Sequence, residues 1–313
     1  MTAPDKVIVV DWGASCLRAY LCLAVGKELT VLDSVSGPGV TKAGNDFEAV
    51  LTSVISSWSA SYGGLPVLMS GHIGSNLGWH EAPYVFCPVS PVDVALHAVS
   101  FMAGIHKVYV IPGVSCADND QHMDVMRGEE IHVLGWLKLD SRHEQGTHLL
   151  CLPGTHTKWV LVKDGVISMV KTAITGELYD LLCHQSVLIQ QAAEQMDMCA
   201  FQRGAKLTLE SENGQFVHGL FSVRTLQVLG RLKPEEASSY LSGLLIGSDI
   251  RAALMAQEWR LDELASITLI GSPPLCGLFE TTMKMKQLTP GCVDDKQTCL
   301  SGFSAIYRAV LKE

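Results

Sequence analysis

Two short loops rich in glycine, serine and threonine have the residue types that bind phosphate. The first, with Asp11, Gly13 and Ser15, follows the apolar run VIVV at residues 7–10. The second, PGTHTK at residues 153–158, follows a similar apolar run. Backbone N–H groups in such loops are unobstructed and can hold phosphate oxygens at short range. The pattern predicts two phosphate-binding loops, although each string alone also suits a turn that merely ends a strand.

A third glycine turn and a helix start extend this set. Gly271 and Ser272 follow a strand pattern at residues 267–270 and offer exposed backbone on which an adenosine can lie, although such turns often simply end strands. Thr175 is predicted to cap a helix that continues through Gly176 and Glu177. The residues predicted to contact ATP are Asp11, Gly13, Ser15, Gly154, Thr155, His156, Lys158, Gly176, Gly271 and Ser272.

Two carboxylates are candidates for holding a magnesium ion. Asp11 stands at the mouth of the first loop, and Glu177 lies near the expected nucleotide. Mg²⁺ prefers oxygen ligands and keeps much of its hydration, so either carboxylate can hold it through water. For Asp11 the alternative is a carboxylate that caps its own turn.

Three carboxylates and a cation cluster in the string DVMRGEE at residues 124–130. Phosphoryl transfer to a hydroxyl needs a carboxylate that accepts the proton, and Glu129 and Asp124 are both candidates that the sequence does not separate. Arg127 has a planar fork that matches a substrate carboxylate through two hydrogen bonds, or it pairs with Glu130 in a structural role. The acids also suit an ordinary helix N-terminus.

The segment from residue 71 to residue 84 carries amides, hydroxyls and aromatic rings that suit a sugar chain. The alternative is an irregular loop in which Trp79 simply packs. The residues predicted to bind the substrate are Ser75, Asn76, Trp79, Glu81, Tyr84 and Arg18.

These candidates require strands and helices that hold them in place. A strand at residues 7–10, a polar loop and an apolar hairpin recur at residues 148–162, as two duplicated lobes would show. Between them, residues 125–139 are spaced as a helix that bridges the lobes, and residues 302–311 are spaced as a terminal helix. The sequence therefore predicts an α/β protein with two lobes.

Composition narrows the function classes. The chain has 313 residues, 48% of them hydrophobic and 18% charged, which is typical of a folded globular enzyme. A formal net charge of -9 opposes a broad basic surface for nucleic acid. The histidines lack paired ligand spacing, so structural zinc is not expected. We expect a small-molecule partner and no nucleic acid.

The compartment follows from the cysteines and the N-terminus. Ten cysteines include no C-x-x-C pair, and several lie in apolar runs, as buried free thiols do. The opening residues, MTAPDKVIVVDWG, lack the features of a secretory signal, and no apolar stretch reaches the length of a membrane span. We expect a cytoplasmic protein that does not enter a membrane.

Four strings together resemble the 2-oxo-3-deoxygalactonate kinase family, within the superfamily of sugar kinases, actin and Hsp70-type ATPases. They are VDWGASCLRAY, MSGHIGSNLGWHEAPY, DVMRGEE, and LPGTHTKW followed by TGE. The resemblance implies two actin-like, ribonuclease H-like lobes, each a mixed five-stranded sheet with flanking helices, that close on ATP and Mg²⁺. It implies an N-terminal lobe of residues 1–130 with a terminal helix at 301–313, and a C-terminal lobe of residues 131–300.

The resemblance also implies a reaction. ATP would donate its terminal phosphoryl group to the 6-hydroxyl of 2-dehydro-3-deoxy-D-galactonate, a step of galactonate catabolism. A phosphatase of the same superfamily and a non-catalytic nucleotide-binding regulator are the alternatives. The preference between the galactonate and gluconate epimers stays open, and a homodimer is one of the assemblies that the sequence allows.

Overall fold

The computed structural model of this protein describes residues 6–44, 46–118, 120–190, 195–211 and 216–311. This part of the chain is an α/β structure in which strands and helices alternate. The strands are β1 (Lys6–Trp12), β2 (Cys16–Val25), β3 (Glu28–Pro38), β4 (Val67–Ser70), β5 (Tyr84–Phe86), β6 (Val99–Ala103), β7 (His106–Val110), β8 (Gly113–Ala117), β9 (Met123–Met126), β10 (Thr147–Leu152), β11 (Thr157–Lys163), β12 (Val166–Ala173), β13 (Ser266–Gly271) and β14 (Gly291–Asp294).

Ten α-helices lie within the same described ranges. They are α1 (Phe47–Val54), α2 (Ser56–Tyr62), α3 (Pro91–Leu96), α4 (Glu129–Leu139), α5 (Thr175–His184), α6 (Met198–Leu209), α7 (Phe216–Val228), α8 (Ala237–Leu254), α9 (Pro273–Lys284) and α10 (Asp295–Leu311). None of these helices combines the length and the apolar character that crossing a bilayer would require.

The first sheet has six strands in the order β3-β2-β1-β4-β7-β6. Strand β1 pairs antiparallel with β2 and parallel with β4, so that Asp11 lies opposite Arg18 on one side and Ser70 on the other. The run Val7–Val10 is fully buried, because a central strand is covered on both faces. Six strands form this sheet where five were expected, since β6 adds antiparallel to β7 at the edge.

Two further sheets complete the strand arrangement of the described residues. A five-stranded sheet has the order β12-β11-β10-β13-β14, and a small sheet has the order β5-β8-β9. In the small sheet β5 runs parallel to β8, and β9 runs antiparallel to β8 with Asp124 opposite Cys116. The hairpin-forming strands expected after each phosphate loop are therefore present as β2 and β11.

The chain divides into two compact units. The first comprises Met1–His148, Val160–Val170 and Val293–Glu313, and the second comprises Leu149–Trp159 and Lys171–Cys292. The first phosphate loop belongs to the first unit and the second loop to the second unit. The boundary at residue 130 that the sequence suggested between the lobes stays a prediction. The compact units divide the chain differently, because residues 131–148 fall in the first unit.

The predicted bridging helix begins later than its sequence pattern indicated. Val125 and Met126 belong to strand β9, in which exposed and less exposed residues alternate, and α4 begins only at Glu129. The break falls at Gly128, whose φ of 108° is a conformation that residues with a Cβ rarely adopt. This turn delivers Glu129 and Glu130 in the first turn of the helix. The terminal helix is longer than expected and starts at Asp295.

Helices α4 and α10 approach each other through glycine. A Cβ added to Gly135 of α4 would lie 1.8 Å from the carbonyl oxygen of Thr298, and one added to Gly302 of α10 would lie 1.9 Å from that of Ile131. Because backbone meets backbone at both positions, neither helix can yield by a simple side-chain rotation. This contact sets how closely α4, which carries the candidate acids, packs on α10.

We predict that Gly135→Ala lowers the stability of the protein. The added methyl group must force α4 and α10 apart, and overpacking of this kind costs about 1–3 kcal/mol or more. Gly277→Ala in α9 is the matched control, because nothing lies within 4 Å of its added Cβ and alanine is favoured over glycine in a helix. Urea midpoints measured for both variants and the unchanged protein check this; a Gly135→Ala midpoint equal to that of the control would contradict it.

Candidate active site

Asp11 lies at the end of β1, where the hairpin with β2 brings a cation beside it. Arg18 Nη1 lies 3.6 Å from Asp11 Oδ2 and 3.7 Å from Asp295 Oδ2. Burial raises the pKa of Asp11, and the nearby His132 and Arg18 act in the opposite direction. The result is a partly buried pair of carboxylates around one guanidinium, in the first compact unit.

The first phosphate loop is supported from behind by the turn after β3. Gly13 N donates to Cys16 O at 3.0 Å, and Val40 N donates to Gly13 O at 3.0 Å. A Cβ at Gly39 would lie 2.3 Å from Ala14 O, so this glycine allows the two turns to touch. Ser15, at the tip of the loop, is exposed. The backbone of this loop is therefore held by hydrogen bonds, and Ser15 at its tip is accessible to solvent.

The start of the segment 71–84 and the start of α4 meet through two glycines. Gly71 follows β4 with a φ of 105°, and a Cβ there would lie 2.7 Å from Trp12 O. A Cβ at Gly128 would lie 3.2 Å from the Cα of Gly71. This contact brings the N-terminus of α4 to the same end of the first sheet as Asp11.

Glu130 is a buried acid that the sequence interpretation did not assign to the site. It is 0% exposed, its Oε1 accepts from Ser70 Oγ at 2.8 Å, and its Oε2 accepts from Gly128 N at 2.7 Å. Burial, with the nearby negative charge of Glu129, raises the pKa of Glu130 to about 7. The only sequence signal was a second acid in the first turn of a helix, which also suits an exposed cap.

Glu129 and Arg127 are joined through the backbone. Arg127 N donates to Glu129 Oε2 at 3.1 Å. The guanidinium of Arg127 lies over the ring of Tyr84, 4.2 Å from its centroid; Nη2 donates to Ala82 O at 2.8 Å and Nε to Tyr84 OH at 3.3 Å. Its Nη1 is buried and has no hydrogen-bond partner among the described residues. Two of the three guanidinium nitrogens of Arg127 therefore donate to residues 82 and 84. In this conformation the guanidinium has no two free nitrogens with which to bind a substrate carboxylate.

Asp124 occupies a different setting from Glu129. It lies in the small sheet opposite Cys116, and its Oδ1 accepts from Val125 N at 2.7 Å. A hydrogen bond with Cys87 is the chief cause that lowers the pKa of the Cys116 thiol to about 7. The negative charge of Asp124 acts on that thiol in the opposite direction. Of the two candidate bases, Glu129 is the one that follows the glycine contact at the end of the first sheet.

The segment 71–84 divides into packed and exposed side chains. Trp79 packs against the core of the first unit, with its ring centroid 4.9 Å from that of Phe101. Ser75 Oγ accepts from Leu77 N at 3.2 Å, which shapes the turn. Asn76 and Glu81 are exposed, as is Tyr84 apart from its contact with Arg127. Arg18, grouped with these residues on sequence grounds, has its ion pairs with Asp11 and Asp295.

A second cluster forms within the second compact unit. A Cβ at Gly176 would lie 2.4 Å from Gly154 O, and Glu177 N donates to Thr155 O at 2.9 Å, so the start of α5 lies directly on the loop. His156 Nε2 lies 2.5 Å from Glu177 Oε2. A Cβ at Gly271 would lie 3.5 Å from Pro153 O. The second loop, the α5 start and the Gly271 turn predicted from the sequence thus lie together.

Two buried polar side chains lie beside the second loop. Lys158 is buried, and its Nζ donates to Thr172 Oγ1 at 2.8 Å. Asp249 of α8, another residue that sequence reasoning missed, accepts from Thr175 Oγ1 at 2.6 Å and from Trp159 Nε1 at 2.8 Å. Burial raises the pKa of Asp249, and these hydrogen bonds oppose the rise. A lone acid within an apolar helical run was the available signal. Ser272 is exposed at the N-terminus of α9.

Comparison with known proteins gives one consistent result. The family model described as 2-keto-3-deoxy-galactonokinase matches residues 11–306. A curated 2-dehydro-3-deoxygalactonokinase of Escherichia coli is 35% identical over 319 residues, with 99% of both chains covered. A solved structure from Sinorhizobium meliloti, assigned to a 2-dehydro-3-deoxygalactonokinase protein, has a TM-score of 0.83 and 30% identity, and the match covers 97% of this chain and 96% of that one.

A more distant solved structure is similar in fold alone. Component A of the (R)-2-hydroxyglutaryl-CoA dehydratase of Acidaminococcus fermentans has a TM-score of 0.53 and 9% identity, over 98% of this chain and all of the other. These neighbours confirm the actin-like α/β fold predicted from the sequence.

We predict that Glu130 makes the protein less stable as the pH rises. Its pKa in the folded protein, about 7, exceeds the ordinary value of 4.5, so the folded state holds a proton that the unfolded state has lost. The contribution of Glu130 is therefore fully present below pH 4.5 and is lost as the pH rises through 7, a change of about 3 kcal/mol in total. Glu130→Gln lacks this titration.

The test compares urea unfolding of the unchanged protein and Glu130→Gln at pH 5 and pH 8. The variant should gain stability relative to the unchanged protein at the higher pH. Glu235→Gln, at an exposed position, is the matched control and should show a constant difference. The same constant difference for Glu130→Gln would refute the prediction.

Proposed function

Because the chain belongs to the 2-keto-3-deoxy-galactonokinase family, we propose that it transfers the terminal phosphoryl group of ATP to the 6-hydroxyl of 2-dehydro-3-deoxy-D-galactonate. The products are ADP and 2-dehydro-3-deoxy-6-phospho-D-galactonate, and the step belongs to galactonate catabolism. The protein is thus a sugar-acid kinase. The observation that carries this conclusion is similarity over nearly the whole chain to relatives of this one activity.

The second cluster binds ATP in this proposal. Backbone N–H groups of Gly154, Thr155 and His156 face phosphate oxygens, Lys158 adds positive charge, and Gly271 and Ser272 receive the adenosine. The glycine contacts that bring the α5 start and the Gly271 turn onto the second loop support this assignment. Gly13 and Ser15 of the first loop bind phosphate in the same way.

The carboxylates around Arg18 suit a magnesium ion. Asp11 and Asp295 provide the hard oxygen donors that Mg²⁺ prefers. Burial disfavours the charged form of Asp11, and a bound cation would stabilise it. Bound Mg²⁺ would neutralise charge on the phosphoryl oxygens. Glu177, held by His156, is the second candidate ligand. A magnesium requirement, a cytoplasmic location and a homodimer stay predictions.

Glu129 is the general base in this proposal. Phosphoryl transfer requires the substrate hydroxyl to lose its proton as the oxygen attacks, and a carboxylate within hydrogen-bond reach accepts it. The position of Glu129 at the first residue of α4, beside the glycine contact near Asp11, supports it over Asp124.

Recognition of the sugar acid falls to the segment 71–84. Asn76, Glu81 and Tyr84 present polar groups at its surface, and Arg127 supplies positive charge for the anionic substrate. Because Arg127 also holds Ala82 and Tyr84, its loss disturbs the segment as well as the charge. Trp79 keeps the segment on the core through its contact with Phe101.

We predict that ADP release from Mg²⁺-ATP depends on the sugar acid. A coupled assay compares no acceptor, 2-dehydro-3-deoxy-D-galactonate, its gluconate epimer and common aldoses. The galactonate compound should stimulate ADP release at least about 100-fold over the acceptor-free rate, because the bound acceptor excludes water that would otherwise attack ATP. Acceptor-independent turnover would instead indicate a hydrolase, and ATP binding without turnover a regulator.

We predict that Glu129→Gln and Asp124→Asn differ in their effect on turnover. Glu129→Gln removes the proton acceptor and should lower kcat by about 10²–10⁴-fold, whereas Asp124→Asn should lower it far less. Both replacements keep size, so nucleotide binding serves as the control for folding. Steady-state kinetics with the galactonate acceptor measure both. A larger loss in Asp124→Asn would transfer the role of the base to Asp124.

A further inference from the structure

Glu130 takes no part in the mechanism above, yet it is completely buried. It is 0% exposed and follows the proposed base directly in sequence. Burying a carboxylate beside a second carboxylate is unfavourable, and replacement by a neutral group would be expected to stabilise the fold. A buried acid of this kind next to reacting groups points to a functional reason.

The two hydrogen bonds of Glu130 join two separate pieces of the site. Through Ser70 Oγ, at 2.8 Å, it holds the end of β4, whose Ser70 pairs with Asp11 of β1. Through Gly128 N, at 2.7 Å, it holds the turn that immediately precedes Glu129. One side chain therefore connects the strand end beside Asp11 to the backbone that presents the base.

A carboxylate is the group that suits both contacts. Both partners donate in this geometry, and a carboxyl group offers one accepting oxygen to each of them, whereas the glutamine amide has one accepting oxygen.

We infer that Glu130 is a positioning residue for Glu129: it fixes the turn at Gly128 that presents the base. This inference rests on the proposed role of Glu129. The substrate proton moves from the 6-hydroxyl to Glu129, and Glu130 neither gains nor loses a proton in the step.

Two substitutions test this positioning role. Glu130→Gln keeps the length of the side chain and removes one of its two accepting oxygens, and Glu130→Asp keeps both oxygens and shortens the reach to Ser70 and Gly128. For both, we expect kcat to fall at least about tenfold, while the KM for ATP stays within about twofold of the unchanged enzyme.

A merely structural role gives a different result. In that case Glu130→Gln and Glu130→Asp lower the urea midpoint but keep the kcat of the unchanged enzyme, and the inference is overturned. Ser70→Ala covers the case in which Glu130 variants do not fold: it removes one of the two contacts, leaves Glu130 in place, and should lower kcat several-fold with the KM for ATP unchanged. Unchanged kcat in Ser70→Ala would count against the inference.

Glu129→Gln measured in parallel distinguishes this inference from the proposed function. If Glu129→Gln turns over like the unchanged enzyme, the assignment of the base fails. If Glu129→Gln is inactive while Glu130→Gln keeps the kcat of the unchanged enzyme, only the role of Glu130 fails. Glu235→Gln, exposed and remote in sequence, controls for the removal of any one negative charge from the protein.

Discussion

A single buried carboxylate holds the acidic half of this site together. Glu130 accepts from Ser70 at the end of β4 and from Gly128 at the start of α4. The strand end determines the position of Asp11 through the parallel pairing of β1 and β4. The turn determines where Glu129 begins the helix. The arrangement depends on a buried acid because few other side chains accept two hydrogen bonds from different elements at once.

Glycine makes the surrounding contacts close enough for that bond to form. Gly71 and Gly128 have φ values of 105° and 108°, and each would meet backbone atoms if it carried a Cβ. In the second unit, Gly176 lets the start of α5 lie on Gly154. The helix that carries the acids is held on α10 by the same device at Gly135. Close approach of backbone to backbone is thus the common means by which both clusters are built.

Local sequence patterns were reliable where one interaction dominates. The β-branched run before Asp11 predicted a buried strand, and the glycine-rich strings predicted the loops that follow β1 and β10. The bridging helix was placed too early, because apolar spacing at residues 125–139 does not reveal the break at Gly128 or the pairing of β9 with β8. Glu130 and Asp249 were missed because their partners, Ser70 and Thr175, lie far away in the sequence.

The sequence by itself determined the family, the kinase chemistry and most candidate residues, because phosphate loops and family strings are local and need no knowledge of distant contacts. The tertiary structure decided which side chains share a hydrogen bond. In the folded protein, two nitrogens of Arg127 donate to Ala82 and Tyr84, and Trp79 packs against Phe101. Arg18 lies beside Asp11. The physical reason is that burial and hydrogen-bond partners are properties of chain segments that meet only after folding, so no string of neighbouring residues can specify them.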